Sequence, residues 1–118
     1  MNDSILTSTK IALGITEEYE HFDAELIMHI NAVFMILNQL GCGPDEGFSI
    51  QDKTTVWTDY MPEGPVLNMV RNYMPNKVKL MFDTSTLTSP MIEVINKNNS
   101  EAEFRIQVAV DPKPEVTS

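Results

Sequence analysis

Apolar residues recur at helical spacing in four stretches of the chain, and glycines and prolines mark where each stretch stops. The first covers 5–13. Asp3 and Ser4 ahead of it are good N-caps, and Gly14 suits the left-handed position that ends a helix. The second covers 24–40, opens after Asp23 and closes at Gly41, which predicts a helix of about five turns. On a helical wheel residues 26–40 are apolar almost all the way round. Asn31 and Asn38 make a polar stripe, and His29 and Gln39 are isolated polar points. A helix of that kind is buried on most sides, so it is expected to be the central helix on which everything else packs.

Residues 41–47 (Gly41-Cys42-Gly43-Pro44-Asp45-Glu46-Gly47) are turn chemistry. Beyond them, 48–50 and 54–57 are short and β-prone, separated by Gln51-Asp52-Lys53, and could pair as a small hairpin. Trp57 and Tyr60 are expected to cap one end of the helical core. The third helix is predicted over 66–82, with Pro65 at its first position. Val66, Leu67, Met69, Val70, Tyr73, Met74, Val78, Leu80 and Met81 share one side of it. Pro75 falls on the polar side without breaking the phase, which predicts one kinked helix and not two.

A fourth helix is predicted to start at Ser89 as N-cap with Pro90 at the first position. It carries two apolar stripes. Met91, Ile92, Ile95, Ala102, Ile106 and Ala109 make one face, and Val94, Phe104 and Val108, with Glu101 among them, make another. Residues 104–110 also alternate with period two and fit a strand, so helix is favoured to about Phe104 and extended chain beyond it. Residues 111–118 read as a polar, proline-bearing tail. The expected architecture is mainly α: about four helices around a central buried helix, a small β-prone loop region, one helical domain at 1–110 and an extended tail at 111–118.

Composition narrows the function classes. The chain has 118 residues, with 17 acidic against 8 basic side chains and a net charge of −9. This is one domain's length, and the acidic balance argues against gripping nucleic-acid phosphates. The same surface would let DNA pass close by without sticking. No basic n-region followed by an apolar run opens the sequence, no stretch approaches a membrane span, and the expected location is intracellular. Cys42 is the single cysteine, so neither an internal disulfide nor a CxxC site is expected. His21, Glu25 and His29 have the spacing of a helical metal face, but His21 precedes the expected N-cap Asp23, and the pair reads as two ordinary histidines near a helix start. No phosphate-loop, dinucleotide, nucleophile-elbow or zinc-protease motif occurs. Neither an enzyme nor a cofactor or metal site is expected. Most of the eight methionines (Met28, Met69, Met74, Met81 and Met91 among them) fit core stripes.

One core cannot bury a helix on two faces, so Val94, Phe104 and Val108 point to burial against another chain. The alternating segment with Phe104, Ile106, Val108 and Val110 could add as a strand to a neighbour's edge. Folding back on the same domain remains an equal alternative for both features.

Several stretches together resemble a known family. They are Ile5-Leu6-Thr7 with Lys10 and Leu13-Gly14-Ile15; His21-Phe22-Asp23 running into Ile27-Met28-His29-Ile30-Asn31 and Val33-Phe34; and Leu40-Gly41 with Gly43-Pro44 and Gly47-Phe48. Trp57 with Asp59, Val78-Lys79-Leu80-Met81-Phe82-Asp83 and Glu103-Phe104-Arg105 complete the pattern. In this order they resemble the head–tail connector proteins of tailed bacteriophages, also called adaptor or head-completion proteins. The sequence departs from that pattern at Pro75, at Thr84-Ser85, at Phe104 and in the asparagine-rich middle of the last helix.

The resemblance implies a non-enzymatic virion protein of the neck, assembled in the host cytoplasm. Its subunits would form a ring beneath the portal protein, extend the DNA channel, and present a surface to a downstream neck, stopper or tail protein. The C-terminal segment of such adaptors reaches into the portal; the tail 111–118, with Asp111, Pro112, Lys113 and Pro114, and the alternating stretch before it are the matching positions here. No membrane partner is implied. A small acidic DNA mimic, or a binder of a host regulator, is the alternative that the charge balance leaves open.

Overall fold

The computed structural model describes residues 3–82 and 84–110. Five helices follow in chain order: α1 (Ile5–Ala12), α2 (Asp23–Gln39), α3 (Trp57–Tyr60), α4 (Pro65–Phe82) and α5 (Ser89–Val110). The fold is mainly α, as expected. Its centre is α4 and not α2, because α4 packs on α1, α2 and α5, whereas α2 packs principally on α1 and α4.

Both of the first long helices end as their glycines predict. Ser4 caps α1, its hydroxyl accepting the Thr7 amide at 3.1 Å. At the other end Gly14 takes φ +83°, its amide bonds the Ile11 carbonyl, and the Ile15 amide reaches back to Lys10. Helix α2 repeats the arrangement with Gly41 at φ +87°, its amide on Asn38 and the Cys42 amide on Leu37. These paired bonds satisfy carbonyls that the helix end leaves open.

Asp23 does not cap α2. It is the helix's first residue, and its carboxylate faces the Lys10 ammonium at 2.8 Å. Lys10 is only 2 % exposed and also donates to the Glu17 carbonyl at 2.9 Å. One buried cation therefore joins α1, the α1–α2 loop and the start of α2.

The predicted hairpin does not form: residues 48–50 and 54–57 make no strand with each other. Asn31 of α2 takes the place of a partner strand for Ile50, accepting its amide at 2.8 Å and donating to its carbonyl at 3.0 Å. Asn38 holds the next turn by donating to Pro44 and Asp45 carbonyls. Thr55 and Trp57 instead bond the start of the chain through one antiparallel bridge, Ser4 to Val56. Ile5 donates to Thr55 and Trp57 to Asp3, each at 3.0 Å. The polar stripe read on α2 is thus a pair of clamps for the 42–50 segment.

Trp57 and Tyr60, both buried, close this end of the core against Phe34, whose ring centroid lies 6.2 and 4.7 Å from theirs. Phe48 completes the cluster at 5.1 Å from both Phe34 and Tyr60. Gly43 is fixed by the same packing: it has φ +90°, and a Cβ there would lie 2.6 Å from the Tyr60 ring.

Helix α4 runs unbroken through Pro75, with Leu67, Val70, Tyr73, Met74 and Val78 buried. Helix α5 departs most from expectation. It begins one residue after Thr88, whose hydroxyl accepts the Met91 amide, so Thr88 and not Ser89 is the cap. It then continues as helix to Val110, with no change to extended chain at Phe104. Asn99, Ala102, Ile106 and Val110 recur at helical spacing on its inner side, and a helix satisfies its own backbone where no sheet edge is offered. The expected tail at 111–118 lies outside the described residues.

Two stability predictions follow from the buried polar contacts. Lys10→Met removes the cation and leaves Asp23, which is about a quarter exposed. It should cost about 3 kcal/mol in urea unfolding, the low end for a broken buried pair. Burial first, then hydrogen bonds to Cys42 and Glu103, push the Tyr60 and Tyr73 hydroxyls well above their ordinary values. The folded state therefore keeps both protons longer than the unfolded chain, whose tyrosines ionise near pH ~10. Stability from these groups should be complete below that pH and fall above it, and Tyr73→Phe should flatten the fall in a pH series of unfolding midpoints.

Candidate assembly surface

Helix α5 is about 33 Å long at 1.5 Å per residue, and its inner side determines what its outer side presents. Ile106 is fully buried, and Ile92, Ile95 and Ala102 on the same side of the helix are half-buried. Glu103 is clamped from α4: the Tyr73 hydroxyl donates to its carboxylate at 2.5 Å, and the Lys77 ammonium lies 3.0 Å away. With Glu103 and Ile106 turned inward, Phe104 and Val108 must face out. Phe104 is 66 % exposed, Val94 58 % and Val108 49 %.

The site residues expected from sequence divide accordingly. Val94, Phe104 and Val108 are brought together on the outer face of α5. Ile106 and Val110 belong to the subunit's own packing: Ile106 lies in the core, and Val110 packs on its edge beside Gly41. As part of one helix, these two cannot offer the alternating edge expected of a strand. Asp111, Pro112, Lys113 and Pro114 lie outside the described residues. Met91 and Ala109, expected on the core-facing stripe, are exposed and lie outside it. Lys97, Glu101 and Arg105, one turn apart, lie on or beside the outer face, and the two cations form no ion pair among the described residues.

A second outward apolar feature was not anticipated. Met28, expected in the core, is 61 % exposed, and Met35, seven residues on, is 66 % exposed. Seven residues bring a helix back to nearly the same direction, so the two share one face of α2, opposite the buried Leu26, Val33 and Leu37. The signal in the sequence was the nearly complete apolar circumference of this helix. That pattern fits burial within the subunit, and it fits equally a helix with one face left for a partner.

The remaining reactive groups do not converge. Cys42 is buried, and desolvation raises its thiol above the ordinary value although the Tyr60 hydroxyl donates to its sulfur at 3.3 Å. A neutral buried thiol is a poor nucleophile. His29 meets Glu25 at 3.4 Å, whereas His21 packs on the Phe22 ring; no three metal-ligating side chains cluster among the described residues. A cleft of about 280 Å³ between α4 and α5 is lined by Asn72, Asn76, Asn98 and Asn99 together with Met69, Tyr73, Glu101, Ala102 and Arg105. No helix among the described residues is long and apolar enough to cross a membrane.

Comparison with known proteins adds one finding. A family model described as Phage connector protein matches residues 5–113, which takes in all five helices. No curated protein and no solved structure matches the chain. The match spans most of the 118 residues, and the arrangement it covers is helical, with its apolar excess turned outward. The chain belongs to the phage connector protein family and is a helical structural protein of the head–tail connector kind.

Proposed function

We propose that this protein is one subunit of a ring beneath the portal, where it extends the DNA channel and joins the capsid to the neck and tail. Family membership supports the connector role and a place in the virion neck, between portal and tail proteins. The observation that carries the finer reading is the outer face of α5. Val94, Phe104 and Val108 are held in solvent by a helix whose inner side is already packed. An apolar face on a rigid element with a satisfied interior is what a repeating assembly needs.

Residues 1–110 form the connector domain in this reading. Residues 111–118, from Asp111 through Pro112, Lys113 and Pro114, leave it as an extended segment that docks on the portal. The net charge of −9 suits a channel component, since a wall without clustered cations lets DNA slide past. The acidic-decoy reading gains no support, because the acidic side chains are scattered over loops and helices, and Glu103 and Asp23 are occupied by lysines.

Deleting 111–118 should leave the melting temperature of the domain unchanged and weaken its co-sedimentation with purified portal; undiminished binding would refute the docking role. Phe104→Asp, at an exposed position, should shift stability by no more than about 0.5 kcal/mol while abolishing ring formation in electron micrographs of portal complexes. Ile106→Ala should do the reverse at the level of folding, costing about 2–5 kcal/mol in denaturant unfolding.

A further inference from the structure

A ring made from identical subunits needs two different patches on each copy, one to give and one to receive. The outer face of α5 supplies the first. We propose that the second is the methionine face of α2, and that Phe104 of one copy seats in the hollow beside Met35 of the next. This rests on the ring reading and adds which surfaces meet.

Three observations favour this occupant. The first is shape. A hollow of about 200 Å³ opens beside Met35, floored by Phe34 and Phe48 and edged by Asn38, Gly47 and Glu46. Phe104 is an aromatic knob, 66 % exposed, on a helix too firmly anchored to fold it inward. Buried aromatic anchors in such pockets carry much of the energy of protein interfaces.

The second is charge. Helix α2 contains no lysine or arginine, and Glu25 and Glu46 stand exposed at the two ends of its methionine face. The outer face of α5 carries Lys97 and Arg105, which have no ion pair among the described residues, with the exposed Glu101 one turn from each of them. Opposite charges across the contact fix its register.

The third is spacing. Lys97 precedes Phe104 by seven residues, as Met28 precedes Met35, about 10.5 Å along a helix in both cases. A parallel docking with Phe104 at Met35 therefore sets Arg105 near Glu46. It also sets Lys97 over Met28, within a lysine's reach of Glu25 one turn further on. The element between these two faces is α4, which packs on both α2 and α5, so one rigid unit carries the giving and the receiving surface.

Disulfide trapping tests the pairing in the full chain. Met35→Cys and Phe104→Cys are made separately, with different tags, and mixed in the presence of portal under mild oxidation; buried Cys42 stays in place. A mixed disulfide between Cys at 35 and Cys at 104, with neither variant linking to itself, is the expected result. Efficient self-linking at 104 would show a two-fold contact and overturn the proposal. So would the absence of a mixed disulfide while the variants still form rings, an outcome that leaves the ring itself standing. A charge exchange provides a second arm. Lys97→Glu with Arg105→Glu should weaken self-association about tenfold, and Glu25→Lys with Glu46→Lys in the same chain should restore it. No restoration would count against the pairing even if the trapped pair could not be assembled. Failure of the unmodified protein to form rings on the portal would remove the ring reading itself.

Discussion

A lysine ammonium removed from water determines how the N-terminal half is organised. Lys10 is 2 % exposed, so its charge must be met inside the protein, and among the described residues Asp23 and the Glu17 carbonyl meet it. Desolvating a cation is costly enough that α1 and the start of α2 have one arrangement in which the cost is offset. From that corner the consequences spread. With α1 fixed, Asp3 and Ile5 pair with Thr55 and Trp57, and the Trp57 indole donates to Ser8 at 2.9 Å. This places Trp57 and Tyr60 against Phe34 and closes the aromatic end of the core. The turn at Gly43 then has no room for a side chain.

The C-terminal half is organised by a second polar anchor of a different kind. Glu103 is gripped by Tyr73 and Lys77 from α4, and Ile106 fills the groove below. Neither residue belongs to the exposed face, yet together they fix the rotation of α5 about its axis. A helix held only by apolar contacts could roll by one position and bury Phe104. The hydrogen-bonded carboxylate prevents this, because rolling would leave Glu103 and the Tyr73 hydroxyl without each other in a half-buried site. The outward direction of Phe104 is therefore a property of Glu103.

What the sequence revealed and what it concealed divide along physical lines. Helix ends controlled by local backbone conformation were legible: Ser4, Gly14, Gly41 and Pro65 each act as their chemistry predicts. Pro75 was read correctly as interior to one helix, because the apolar phase continues across it. Features controlled by distant partners were not legible. Asp23 looked like an N-cap, since the lysine that claims it is thirteen positions away. The hairpin at 48–57 was suggested by propensity but displaced by Asn31 and by the chain's own start. Residues 104–110 satisfy both periodicities, and only α4 packed beside them decides for the helix. Met28 was assigned inward because an apolar residue on an apolar helix gives no sign of which neighbour is missing. The same ambiguity affected the assembly surface: Val94, Phe104 and Val108 could be separated from Ile106 by their phase, whereas the methionine face of α2 could not.

Charge imposes a further condition on any assembly of this chain. Each copy has a net charge of −9, and ordered copies side by side repel one another over distances comparable to the Debye length, about 8 Å at physiological ionic strength. Apolar contact alone must overcome that repulsion everywhere along the contact, whereas cations placed at the contact relieve it where the copies come closest. The chain has few to spare. Lys10 is buried with Asp23, Arg71 pairs with Glu63 at 3.2 Å, and Lys77 is taken by Glu103. Lys53, Lys79, Lys97 and Arg105 form no ion pair among the described residues, and the last two lie on α5. Unpaired positive charge thus accompanies one of the two uncovered apolar faces, that of α5, and is absent from the other, the methionine face of α2. In the proposed ring of a strongly acidic chain, the contact between copies is the place where unpaired cations would relieve repulsion without lining the channel.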